Sequence, residues 1–79
     1  MDIKEKILEM LSEMRPEIDD FETIPDLVHG GTLDSLNIVM LIADLSEEFG
    51  IEIPPQEVVY ENFDTVAGLV AMVKKLQEE

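Results

Sequence analysis

Cysteine is absent from all 79 residues. That excludes a disulfide framework, a thiolate metal site and a cysteine nucleophile. It is compatible with a cytoplasmic protein without requiring one. Basic residues are scarce too. The five are Lys4, Lys6, Arg15, Lys74 and Lys75, so none lies between Pro16 and Val73. Nineteen acidic residues oppose them, for a formal net charge of -14. A chain so charged is unsuited to nucleic acid, which is bound through phosphate contacts, and to anionic lipid. A basic protein surface would be steered toward it, less so as salt rises. No stretch is long and apolar enough to enter a membrane as a spanning helix. Met1-Asp2-Ile3-Lys4-Glu5 lacks the apolar region of a signal peptide, so a cytoplasmic location is expected.

What is present is periodic. Hydrophobic residues make up 46% of the chain and recur at helical spacing, which argues against acid-driven disorder. The length suits one domain, residues 1–79, with a core too small to enclose a large active-site cavity. Residues 2–15 read as a first helix. Asp2 and Glu5 have capping-box spacing, and Ile3, Ile7, Leu8, Met10, Leu11 and Met14 form one apolar stripe. Pro16 ends it. Residues 16–34 form a long connection, with Phe21, Ile24, Leu27 and Val28 as apolar anchors and a turn near 26–28.

The stretch Gly30-Gly31-Thr32-Leu33-Asp34-Ser35-Leu36 is the centre of the chain. Glycines give way to a capping residue, Asp34 or Ser35, and then to a second helix over 35–49. Ser35 sits at the positive end of that helix, where free backbone N–H groups and the dipole favour a phosphate ester. On a helical wheel, Ile38, Leu41, Ile42, Leu45 and Phe49 form a core stripe. The opposite side carries Leu36, Val39, Met40 and Ala43, followed by Glu47, with Asn37, Asp44 and Glu48 as a polar edge. This second apolar face is either covered by the 16–34 connection or is a docking surface with an acidic rim.

Gly50 closes the second helix and Ile51-Glu52-Ile53-Pro54-Pro55 is extended. Gln56 to Asn62 reads as a short third helix with Pro55 at its first position and Val58 and Val59 toward the core. Tyr60 is either packed or at the rim. Asp64 or Thr65 caps a last helix with Val66, Leu69, Val70, Val73 and Leu76 as its stripe. The architecture is thus an all-α four-helix bundle, three helices long and one short.

The Asp34-Ser35-Leu36 motif, the run Glu-Glu-Phe-Gly-Ile-Glu-Ile-Pro-Pro over 47–55 and Phe63-Asp64-Thr65-Val66 resemble, in order and spacing, the acyl and peptidyl carrier proteins. The resemblance implies a stand-alone carrier with 4′-phosphopantetheine, taken from coenzyme A, esterified to Ser35 and bearing an acyl or aminoacyl thioester. It implies partner recognition at Asp34, Leu36, Val39, Met40, Ala43 and Glu47. The implied partners are a phosphopantetheinyl transferase, a loading enzyme and downstream synthase or transferase enzymes with basic docking patches. It also implies a monomer that is not itself an enzyme, with no catalytic or metal-binding residue. Gly31-Thr32-Leu33-Asp34-Ser35 is closer to the peptidyl or D-alanyl carriers than to those of fatty-acid synthesis, where a small residue replaces Leu33 and acids replace Asn37 and Met40.

Two other readings remain at this stage. An unmodified acidic helical adaptor would bind a protein through the same Leu36/Val39/Met40 face, with Ser35 only a cap. A small hydrolase would pair Ser35 with His29, the sole histidine. The chain shows no recognisable oxyanion hole, and a solvated loop histidine is the simpler account.

Overall fold

The fold is that of a computed structural model, which describes residues 2–78. Four α-helices follow one another: α1 Ile3–Met14, α2 Ser35–Phe49, α3 Tyr60–Phe63 and α4 Val66–Glu78. Short 3₁₀ turns at Phe21–Thr23 and Pro55–Glu57 interrupt the connections. Among the described residues there is no strand, and the pieces match the all-α bundle expected. Met1 and Glu79, the ends of the expected 1–79 domain, lie outside the described residues.

Local chemistry fixes the helix limits. The Asp2 carboxylate accepts from the Glu5 amide at 2.8 Å and starts α1. Arg15 closes it with a bond to the Leu11 carbonyl, one residue before Pro16. Gly50 ends α2 in left-handed backbone, φ 63°. Thr65 caps α4, its hydroxyl accepting from the Gly68 amide at 2.9 Å. Asp64, the other candidate cap, is left free for a different task.

The core gathers one residue set from every α-helix. Ile7 and Leu11 come from α1, Leu41 and Leu45 from α2, Phe63 from α3, and Val66, Leu69, Met72 and Val73 from α4. The remaining three, Phe21, Leu27 and Leu33, come from the long connection. Burying a side chain of this size is worth ~1.5–3 kcal/mol. Ordering a residue's backbone costs ~1–2 kcal/mol. Three such anchors therefore offset only about a quarter of the cost of ordering the loop's backbone, which runs through the core's edge rather than around it. Helix α1 packs chiefly on α4, α2 packs on both, and α3 sits on α4.

The region after α2 differs from expectation. A single helix over 56–62 does not form. The chain makes a 3₁₀ turn at Pro55–Glu57, is irregular at Val58 and Val59, and becomes helical only at Tyr60. Asn62 holds the break, donating from Nδ2 to the Glu57 carbonyl at 2.7 Å. Val58 and Val59 consequently face solvent rather than the core, and Tyr60 is exposed beside them.

Helix α3 meets α4 at Gly68. A Cβ there would lie 2.7 Å from the Glu61 carbonyl oxygen and 3.1 Å from that of Asn62. Both neighbours are backbone and cannot turn away. Gly→Ala inside a helix ordinarily stabilises by ~1 kcal/mol. Here overpacking reverses the sign, and Gly68→Ala is expected to lower stability by about 1–3 kcal/mol in urea unfolding. A rise in the unfolding midpoint would show that α3 does not press on α4 as described.

Candidate functional site

The site begins with α2's capping box. The Asp34 carboxylate accepts from the Asn37 amide at 2.8 Å, and the Asn37 side chain accepts from the Asp34 amide at 3.2 Å. Asp34 is therefore the cap and Ser35 the first helical residue. Asn37, expected on the polar edge of the docking face, is spent on the cap. Ser35 is exposed, and among the described residues nothing bonds to its hydroxyl or to the amides of Ser35 and Leu36. Free amides at a helix N-terminus favour a bound anion.

Three devices place Ser35. Leu33, two residues earlier, is buried, and its amide donates to the Leu27 carbonyl at 2.8 Å. The double glycine makes the bend between them. Gly31 has φ 83°, and a Cβ on Gly30 would lie 2.7 Å from the Asp26 carbonyl oxygen. The third device is Asp64. Its backbone carbonyl accepts from the Leu27 amide at 2.8 Å. Its carboxylate accepts from the amides of Val28 at 2.9 Å and His29 at 3.1 Å, and meets the His29 ring nitrogen Nδ1. One residue at the foot of α4 thus holds the loop that carries Ser35. Sequence reasoning assigned Asp64 only a possible cap. Its partners are 35 and 36 residues away, and no local pattern signals them.

His29 is exposed, as expected of a loop histidine, but it is not free. Its ring lies against Tyr60, with centroids 3.8 Å apart. Its Nδ1 is engaged by Asp64 rather than offered to Ser35.

The outer face of α2 is open. Leu36, Val39 and Met40 are 65%, 62% and 45% exposed, and Ala43 and Glu47 are exposed below them. The long connection does not cover this face, because Phe21, Leu27 and Leu33 draw it inward. Of the expected acidic rim, Asp44 and Glu47 remain open, whereas Glu48 takes Lys6 at 3.0 Å. A second apolar surface begins one turn below Ser35. Ile38, on the same face of α2, joins Val28, Val58, Val59, Tyr60 and Phe63 around an open cleft of about 390 Å³.

The family model for the phosphopantetheine attachment site matches residues 5–73. The chain belongs to this family. It is a discrete carrier that holds an acyl or aminoacyl group on a covalent 4′-phosphopantetheine arm. The D-alanyl carrier protein of Streptococcus suis (strain 98HAH33) is 36% identical over 76 residues, covering 96% of each chain. That of Lactobacillus delbrueckii subsp. bulgaricus (strain ATCC BAA-365 / Lb-18) is 34% identical over 79 residues, covering all of this chain and 99% of its own. D-alanyl carrier protein 1 of Lactiplantibacillus plantarum is 34% identical over 76 residues. The carrier's residues suit its arm: an exposed serine with an unbound hydroxyl, two unpaired amides beside it, and an apolar cleft one turn away. A carrier of this kind works with a transferase and a loading enzyme. No helix among the described residues is long and apolar enough to cross a membrane.

The Asp64 carboxyl has a definite electrostatic signature. Burial pushes its pKa up, but hydrogen bonds from the His29 amide and ring and the Val28 amide outweigh that and hold it below the usual carboxylate range. The folded state therefore prefers the charged form. Its contribution is full above the unfolded pKa of ~3.9 and is lost as pH falls through the lower folded value. Urea unfolding followed into acid is expected to lose stability more steeply in the wild type than in Asp64→Asn. Parallel acid limbs for the two proteins would contradict this reading of Asp64.

Proposed function

We propose that Ser35 is the attachment point of the arm and that this single domain, a monomer in the cytoplasm, is a carrier and not a catalyst. The observation that carries the reading is an exposed serine, its hydroxyl unbound, at the first position of a helix whose outward face is apolar. Bound there, the arm supplies the thiol that this cysteine-free chain lacks. The rest is done by the chain's own residues. Asp34 orders the first turn and keeps Ser35 at the surface. The unpaired amides of Ser35 and Leu36 would hold the arm's phosphate. Leu36, Val39, Met40 and Ala43 offer apolar area to the transferase and to the loading and downstream enzymes. Glu47 and Asp44 meet basic groups on those partners. Apolar contact with an acidic rim suits fast electrostatic encounter and short-lived complexes, as a carrier serving several enzymes in turn requires.

The relatives' names support D-alanine as the carried group. The local sequence agrees, since Gly31-Thr32-Leu33-Asp34-Ser35 resembles the peptidyl and D-alanyl carriers rather than those of fatty-acid synthesis.

Intact mass tests the attachment. Incubation with coenzyme A, Mg²⁺ and a promiscuous phosphopantetheinyl transferase should add one phosphopantetheine to the wild type and none to Ser35→Ala. A gain retained in Ser35→Ala would move the site to another hydroxyl. An unchanged mass of the folded wild type with an active transferase would contradict attachment at Ser35. Hydroxylamine release from loaded protein taken from its host should give the hydroxamate of D-alanine. The L-form or a fatty acyl hydroxamate would overturn the cargo.

A further inference from the structure

Between α2 and the second 3₁₀ turn, the chain passes through Ile51, Glu52, Ile53 and Pro54 without helix or turn. Ile51 and Ile53 are half-buried against the core, and Glu52 between them is exposed. That alternation is the pattern of a strand with one face on the core. Both ends of the segment are tied. The Ile51 amide donates to the Ser46 carbonyl at 3.2 Å, and the Pro54 carbonyl accepts from the Glu57 amide at 2.9 Å. Between the ties, the amides of Glu52 and Ile53 and the carbonyls of Ile51, Glu52 and Ile53 have no partner among the described residues. The segment is thus a strand without a sheet, and unpaired groups of this kind are a template for another strand.

Its two edges are not equivalent. In extended chain the N–H and C=O of one residue point to one edge, and those of the next residue point to the other. Ile51 is turned toward the end of α2, and Ile53 shares that edge. Glu52 takes the outer edge, where its N–H and C=O are placed to exchange two hydrogen bonds with an antiparallel chain. Alongside lies an open groove of about 610 Å³, lined by residues 50–55 and by Leu76 of α4.

The groove is negative for reasons of its own. α2 closes at Phe49, beside Gly50, and α4 runs to Glu78, two residues beyond Leu76. The C-terminal ends of both helices favour a cation. Glu52 adds a full charge. Of the nearby lysines, Lys75 is held by Glu57 at 2.8 Å, and Lys74, two positions before Leu76, lies on the other side of α4.

We propose that this edge takes up an extended segment of a partner protein in which basic and small apolar residues alternate. The segment's backbone pairs with Glu52, its apolar side chains enter the groove against Leu76, and its cations meet Glu52 and the two helix ends. The groove lies at the far end of α2 from Ser35, 15 residues or roughly 22 Å along the helix. A partner held there leaves Ser35 and the Leu36/Val39/Met40 face free, and raises the local concentration for repeated encounters. That use rests on the Ser35 reading, whereas the binding is a property of the unmodified chain.

The probe is a blocked hexapeptide alternating lysine and valine, titrated into unmodified ¹⁵N-labelled protein. The Glu52 amide should shift and exchange more slowly, while those of Leu36 and Val39 stay in place. A fully N-methylated peptide of the same charge should bind at least fivefold more weakly, and so should the plain peptide to Glu52→Pro. Fivefold is the factor for ~1 kcal/mol, the net scale of one hydrogen bond. Leu76→Ser should weaken binding as well, and an alternating glutamate and valine peptide should not bind. Equal binding of the N-methylated peptide would reduce the contact to charge alone and overturn the proposal. No binding of the plain peptide, or shifts confined to the outer face of α2, would overturn it too. The N-methylated peptide decides the matter on wild-type protein, whatever Glu52→Pro does to the fold. None of these measurements uses the arm, so failure to load Ser35 would count against the attachment site and not against this edge.

Discussion

The Asp64 carboxylate is the constraint on which the site depends. It lies between α3 and α4, and accepts from two successive amides and one ring of the connection. Its own carbonyl takes the amide of Leu27. From Leu27 the order passes to Leu33 through one hydrogen bond and to Ser35 through the Asp34 cap. Removing any step would leave the helix start attached to a long, loosely held segment. A connection of this length is normally the least ordered part of a small domain. Here it is tied at its middle by Asp64 and drawn into the core by Phe21, Leu27 and Leu33.

The same inward pull has a consequence on the other side of α2. Because the connection spends its apolar residues in the core, it has none left to lay over Leu36, Val39 and Met40. Helix α2 therefore buries one apolar face and displays another. Single exposed apolar residues mean little, but Leu36, Val39 and Met40 in register beside an unbound serine form a contiguous apolar face. In the proposed function, the stability given up by leaving them in water is the cost of a face that several enzymes share. The acidic surroundings bear on the rate of meeting those enzymes more than on how tightly they hold.

Much of this was legible in the sequence, for identifiable reasons. The limits of α2 follow from Asp34, Gly50 and an unbroken 3.6-residue pattern between them, and both of its faces are visible on the wheel. Whether the outer face is covered was not legible, because that depends on the path of residues 16–34. Val58 and Val59 were misplaced because a short apolar run has no period to read, and the break comes from Asn62 reaching back to the Glu57 carbonyl. Asp64 was underestimated because Thr65 is an equally good cap by type. Only the fold shows that Thr65 takes the cap and Asp64 takes the loop. The resemblance to carriers pointed to Ser35, but not to Asp64, the residue that holds its loop.

The rate of phosphopantetheine transfer from coenzyme A to Asp64→Ala, beside the wild type, tests the central claim most directly. Circular dichroism on the same samples shows whether the helices persist. With helices intact, loss of the anchor should slow transfer by about tenfold, because Ser35, the proposed acceptor, is no longer held in place. Equal rates would mean that Ser35 is positioned by its own helix alone, and that the Asp64 anchor serves stability without serving the site.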